Sequence, residues 1–187
     1  MLVLLAEDEH DISRIYSIQL QSQGHQILTV ADGERCIELY RMAYWQKCLR
    51  QKEETRASEE ICCRGTDINR PPFDAVILDY RMPKKDGLMV AADILKLAPE
   101  QRIIFVSAYV KEFVEKPVRQ LKADIEVFQK PVSPRTLVEV VEDKALYEEI
   151  ERLGGNAKKI REEMNPTHRQ LKQLVESMRK LRAKYES

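Results

Sequence analysis

The amino-acid sequence predicts an α/β fold: a doubly wound parallel sheet of five strands, followed by a C-terminal α-helical extension. Three observations carry that prediction. Short apolar runs alternate with stretches of helical periodicity over residues 1–148, the pattern of right-handed βαβ units. The runs are apolar at consecutive positions, which suits strands covered on both faces. Past residue 148 the strand-like runs stop, and an apolar stripe with steps of three and four takes over.

The elements follow in order. Leu2-Val3-Leu4-Leu5 is the first strand and stops at Glu7-Asp8-Glu9. Asp11 is placed to cap a helix running to about Ser22, with Ile12, Ile15 and Ile18 among its apolar positions, and Gly24 ends it. Gln26 to Val30 is the second strand. Gly33 opens a helix that carries Cys36, Ile37, Leu39, Tyr40 and Ala43. Ala75 to Leu78 is the third and most apolar strand, ending at Asp79. Leu88 to Leu97 is a helix that stops before Pro99. Ile103 to Val106 is the fourth strand, ending at Ser107, and Ile125 to Phe128 the fifth, ending at Lys130-Pro131. Ser133 caps the next helix, with Pro134 at its first position.

Composition narrows the function classes. The 187 residues allow one ordinary domain plus an appendage. With 31 basic and 31 acidic side chains the net charge is zero, which argues against a coat for nucleic acid or membrane. No run approaches the roughly 18 apolar residues of a membrane span. Met1 to Ala6 is too short for a signal-peptide core, so the expected location is the cytoplasm. Cys36, Cys48, Cys62 and Cys63 form no CxxC pair and read as reduced thiols. Charge divides the chain: residues 1–150 carry a net of −5 and residues 151–187 a net of +5. With Gly154-Gly155, that shift marks the passage from a domain over 1–148 to an extension over 149–187.

In a doubly wound sheet the ligand site lies beyond the carboxyl ends of the strands. Glu7 and Asp8 arrive there from strand one, Asp79 from strand three, Ser107 from strand four and Lys130 from strand five. Clustered carboxylates repel one another, and a divalent cation resolves the conflict. Hard oxygen donors with some retained water suit Mg2+. A carboxylate left free as a nucleophile beside the metal, an ammonium and a hydroxyl are what acceptance of a phosphoryl group needs.

These residues carry a family resemblance. Val3-Leu-Leu-Ala-Glu-Asp-Glu9, Val76-Ile-Leu-Asp-Tyr-Arg-Met-Pro-Lys-Lys-Asp-Gly87, Ile104-Phe-Val-Ser-Ala108 and Gln129-Lys-Pro131 resemble the receiver domain of two-component response regulators. The resemblance implies a flavodoxin-like sheet of order 2-1-3-4-5. It implies that Asp79 is the phosphoacceptor, fed by a histidine kinase. It implies that Glu7, Asp8, Asp79 and the main-chain carbonyl of Arg81 hold Mg2+. Ser107 matches the switch hydroxyl and Lys130 the phosphoryl-pairing lysine, with a cis Lys130-Pro131 bond. Arg81 and Tyr109 flank the path of a hydrolytic water.

The chain departs from the pattern in three places. The aromatic switch residue belongs three before the lysine, where Val127 stands; either neighbouring Phe128 substitutes or the usual coupling is missing. Pro117 falls inside the helix expected from Val110 to Lys122. From Asp8 to Asp79 is 71 residues, an excess that places an insertion at about 46–72. It reads as a lengthened second helix and a solvated loop, or as a partner-binding protrusion touching through Trp45 and Cys62-Cys63.

Residues 149–187 show no DNA-binding output domain. Their seam runs through Leu146, Ile150, Leu153, Ala157, Ile160, Met164, Thr167, Leu171, Leu174, Met178, Leu181 and Tyr185. Asn165-Pro166 reads as the cap and first position of the last helix. A lone helix of this length is marginal, so Leu171, Leu174, Met178 and Leu181 must pack on something, either the same chain or a second copy in a homodimer. The expected function is a phosphorylation-controlled switch whose output is protein–protein contact or dimerisation. The alternatives are a transcription regulator whose basic C-terminal helices bind DNA, and a scaffold receiver that is never phosphorylated. An aspartyl-phosphate phosphatase wants an acid where Arg81 stands.

Overall fold

The computed structural model describes residues 1–57, 71–108, 121, 125–164 and 166–185. Five parallel strands, β1 (Leu2–Ala6), β2 (Gln26–Val30), β3 (Ala75–Leu78), β4 (Ile103–Ser107) and β5 (Ile125–Gln129), form one sheet of order β2-β1-β3-β4-β5. β1 sits between β2 and β3, with Leu4 opposite Leu28 on one side and Val76 on the other. The central strands β3 and β4 are buried at every position. Their consecutive apolar residues are therefore explained by cover on both faces.

The helices in order are α1 (His10–Ser22), α2 (Gly33–Ala57), α3 (Gly87–Leu97), α4 (Pro134–Arg152) and α5 (His168–Tyr185). α2 and α3 bring Cys36, Ile37, Tyr40, Val90, Ala91 and Ile94 into one core with Leu4, Val76, Leu78, Ile103 and Phe105. Burying such side chains contributes about 1.5–3 kcal/mol each, before entropy is subtracted. A polar knot sits inside this core: the Tyr40 hydroxyl donates to Gln101 Oε1 at 2.9 Å, and Gln101 Nε2 donates to the Phe73 carbonyl at 3.0 Å. Among the described residues no helix is long and apolar enough to cross a membrane.

Two expected caps are corrected. α1 begins at His10, with Glu9 in extended backbone at the cap, so Asp11 lies inside the first turn. There its carboxylate faces the positive end of the helix dipole rather than binding a backbone N–H as a cap. α5 begins at His168 and not at Pro166. Thr167 and Gln170 form a reciprocal box, the Thr167 N–H donating to Gln170 Oε1 at 2.8 Å and the Gln170 N–H to the Thr167 hydroxyl at 3.4 Å. Two caps escaped the sequence reading. Asp32 accepts from the Arg35 N–H at 2.8 Å at the start of α2, and Asp86 accepts from the Met89 N–H at 2.8 Å at the start of α3.

α2 is lengthened to 25 residues and covers the first part of the insertion. Residues 58–70 of it, with Cys62 and Cys63, lie outside the described residues, as do Tyr109, Pro117 and all but residue 121 of the helix expected over 110–122.

The chain divides into two compact units, Met1–Pro134 and Arg135–Ser187. α4 runs unbroken past residue 148 and opens the second unit. In that unit Glu142 meets His168 and Lys172, Glu149 meets Arg179, and the Arg152 carbonyl accepts from Arg182. Partner numbers rise together, so α4 and α5 run parallel. Between them Gly154, at φ +87°, turns the chain. The Gly154 and Gly155 N–H groups donate to the Glu151 and Ile150 carbonyls, which closes the end of α4. A helical turn (Ala157–Lys159) then passes into a π-helical turn (Ile160–Met164) running back along α4, where the Arg161 guanidinium lies 4.5 Å from the Tyr147 ring centroid.

The stripe is partly internal to this unit. Ile150, Leu171 and Val175 are buried together, with Leu146, Leu153, Ile160, Leu174 and Met178 packed against them. Val175 was not on the expected seam. Leu181 and Met164, which were, are 58% and 68% exposed.

Candidate functional site

Each strand end delivers its residue to one edge of the sheet. The Glu7 N–H donates to the Val30 carbonyl and the Asp79 N–H to the Ala6 carbonyl, which carries strand pairing right up to the two acids. Glu7, Asp8 and Asp79 each offer a carboxylate oxygen within 4.8 Å of the others. Glu7 and Asp79 are buried and Asp8 is exposed. Three hard oxygens this close, one of them open to water, are a donor set that fits Mg2+.

Lys130 reaches into the same place. Its ammonium donates to Asp79 Oδ2 at 2.7 Å and to Glu7 Oε1 at 2.8 Å, and lies 3.8 Å from Glu9. The Lys130 side chain is only 10% exposed. Burial alone would lower its pKa, but the hydrogen bonds to Asp79 and Glu7 outweigh that and raise it. The other Asp79 oxygen accepts from the Arg81 N–H at 3.3 Å. Ser107 ends β4, buried, and its carbonyl accepts from the Lys130 N–H at 2.7 Å. The Lys130-Pro131 bond is cis.

Two glycines set the loop after Asp79. A Cβ on Gly87 would lie 2.1 Å from the Asp79 carbonyl oxygen, and a Cβ on Gly33 would lie 2.0 Å from the Lys85 carbonyl oxygen. Only a bare Cα fits either place. The Gly33 N–H also donates to the Pro83 carbonyl, and Lys84, at φ +66°, reaches Asp32 at 2.9 Å. The start of α2 thus grips the loop that carries Arg81. The sequence reading missed this grip; the Asp32-Gly33 pair, a turn signal just after a strand, was its one visible sign.

Val127 packs with the core under α2 and α3. Neighbouring strand residues point to opposite faces, so Phe128 does not stand where an aromatic residue at 127 would.

Burial pushes the Glu7 carboxyl up to about 7, Asp79 adds to the rise and Lys130 opposes it. A carboxylate raised in the folded state costs stability when it ionises. Stability in chelator is therefore expected to fall as pH rises from about 4.5 to about 7 and to level off above. Glu7→Gln removes that part of the slope. Urea unfolding of both proteins across this range checks it, and parallel stability curves count against it.

Residues 54–142 match the family model described as the response regulator receiver domain. That stretch holds Asp79, Ser107 and Lys130; Glu7 and Asp8 join them only through the fold. The response regulator receiver protein CpdR of Brucella abortus is 24% identical over 140 residues, covering 75% of this chain and 92% of CpdR. Histidine kinase 1 of Arabidopsis thaliana is 23% identical over 147 residues, 74% of this chain but 12% of that protein's length. Among solved structures, a chain of the CheX-CheY-BeF3-Mg2+ complex from Borrelia burgdorferi superposes with a TM-score of 0.59 at 24% identity, over 78% of this chain and 89% of that one.

Proposed function

We propose that this chain, whose residues 54–142 match the response regulator receiver domain, is a signalling switch which takes a phosphoryl group from a histidine kinase onto Asp79. The observation that carries this reading is the Lys130 ammonium, its side chain 10% exposed, shared between Asp79 and Glu7 at the carboxyl edge of the sheet. Glu7, Asp8, Asp79 and the Arg81 carbonyl would hold Mg2+, which when bound neutralises charge on the phosphoryl oxygens. Asp79 attacks phosphorus as the P–N bond of a phosphohistidine breaks and the imidazole leaves with its electron pair. Lys130 stays on the transferred oxygens, and the Ser107 hydroxyl donates to one of them. No general base is needed, because the nucleophile is already an anion.

In this reading the receiver spans residues 1–148, with the insertion at about 46–72, and the helical extension spans 149–187. Output passes through protein contacts of the C-terminal helices, by homodimerisation or by docking on the chain's own receiver, in the cytoplasm and without DNA.

Incubation with acetyl phosphate and Mg2+ is expected to add one phosphoryl group, and Asp79→Asn to add none. Equal labelling of the Asn variant moves the site elsewhere. An unlabelled wild type, with donor and metal in excess, makes the protein a phosphate-independent scaffold.

The lifetime of the phosphoryl group is set by what stands beside the water's approach. By the resemblance, large side chains at Arg81 and at Tyr109, the latter outside the described residues, are expected to exclude water. Arg81→Ala with Tyr109→Ala is expected to shorten the lifetime several-fold, read from the decay of labelled protein. An unchanged or longer lifetime would mean that Arg81 orients water instead.

A further inference from the structure

Lys130 stands at the end of an edge strand. β5 pairs with β4 alone, so strand pairing holds this end of the sheet from one side only. A lysine carries its charge on a flexible four-carbon stem. Where the ammonium comes to rest therefore depends on how firmly the main chain around it is held.

The segment from Lys130 to Pro134 is short of donors of its own, because Pro131 and Pro134 carry no N–H. The Lys130 N–H ties it to β4, donating to the Ser107 carbonyl at 2.7 Å. Two residues on, the Tyr16 hydroxyl of α1 donates to the Val132 carbonyl at 3.1 Å. Tyr16 is 5% exposed, one of two buried residues of α1. Burial pushes its phenol above the ordinary value; Lys130 opposes that rise, and Glu7 and Asp79 add to it. The hydroxyl thus stays protonated as a donor near neutral pH, and the charges that act on it are those of the site. Packing alone asks for an apolar side chain here, as Leu20 supplies one turn on. The hydroxyl adds the tie to Val132.

We infer that Tyr16 is a positioning residue for Lys130: by holding the Val132 carbonyl, its hydroxyl fixes the strand end and keeps the ammonium between Asp79 and Glu7. The inference deepens the switch reading and rests on it for its consequence, a lysine set in place before the phosphoryl group arrives.

The test reads Lys130 itself. The full chain, in chelator, is treated with formaldehyde and a borane reductant, and methylation of each lysine is followed by mass spectrometry. Lys130 is expected to react slowly in the wild type, well behind Lys84, whose side chain is 55% exposed. Tyr16→Phe keeps the ring and removes the hydroxyl. It should speed methylation of Lys130 roughly two- to tenfold, the range that one lost hydrogen bond allows. Lys85, 21% exposed and paired with Asp93, should keep its rate. An unchanged Lys130 rate overturns the inference, as does an equal rise at Lys85, which means general loosening. A double-mutant cycle gives a second readout. Tyr16→Phe should lower the urea midpoint, and by less once Lys130→Met has removed the ammonium. Equal losses in both backgrounds reduce the hydroxyl to support for the loop and overturn its link to Lys130. Neither readout uses a phosphoryl donor, so a failure of Asp79 to label leaves this inference standing, and a failure here leaves Asp79 as the acceptor.

Discussion

Lys130→Ala is expected to lower the stability of the metal-free protein by about 3–5 kcal/mol, the cost of leaving buried charge unpaired. The ammonium sits 2.7 Å from Asp79 and 2.8 Å from Glu7, and the side chain is 10% exposed. Without it, two buried carboxylates face each other beside Asp8 with no cation among them. Proton uptake offsets part of the loss, so the deficit should grow with pH. Two further variants separate this from lost packing. Lys130→Met keeps much of the stem and should lose nearly as much as Ala. Lys130→Ala with Asp79→Asn removes one of the stranded charges and should lose less than Lys130→Ala alone. Millimolar Mg2+ should recover more stability in Lys130→Ala than in the wild type, because the metal then supplies the missing charge. The measurement is urea unfolding in chelator and in Mg2+. A loss under about 1 kcal/mol would put the pair in the class of surface ion pairs and remove the electrostatic argument for the site.

The sheet was legible because its signal is local. Ala75 to Leu78 and Ile103 to Val106 are apolar at every position, which two-sided burial requires and few other environments do. The site was legible because the acids, the hydroxyl and the lysine each terminate a strand, so topology alone brings them to one edge. What escaped were features that depend on three-dimensional approach. The grip of Asp32 and Gly33 on the loop at Pro83, Lys84 and Lys85 joins segments some fifty residues apart. Gln101, buried between Tyr40 and Phe73, reads in sequence as a loop residue after Pro99. Caps were misplaced by a residue or two for the usual reason: several polar residues in a row can each satisfy the first free N–H groups, and packing chooses among them. The C-terminal stripe was found but its partner was not, since a heptad pattern states that a face is covered and not by what.

That partner can be read from two substitutions with opposite expectations. Leu171 is fully buried with Ile150 and Val175, and Leu181 is 58% exposed two to three turns further along α5. Leu171→Glu puts a charge into the small core that α4, the returning segment and α5 make together. It is expected to cost about 3 kcal/mol or more and, in so small a unit, to melt α5 and lower the helical circular dichroism of the full chain. Leu181→Glu is expected to change monomer stability by no more than about 0.5 kcal/mol, as an exposed substitution does. If instead Leu181→Glu halves the mass in solution while the receiver stays folded, the exposed end of the stripe is a dimer seam. If Leu171→Glu changes neither mass nor helical signal nor stability, the unit does not hold together in the free protein. Measuring mass and melting with and without beryllofluoride and Mg2+ then ties this end of the molecule to Asp79. A dimer that appears or dissolves with the phosphoryl mimic, and does so only while Leu181 is apolar, would make the far end of α5 the output surface of the switch.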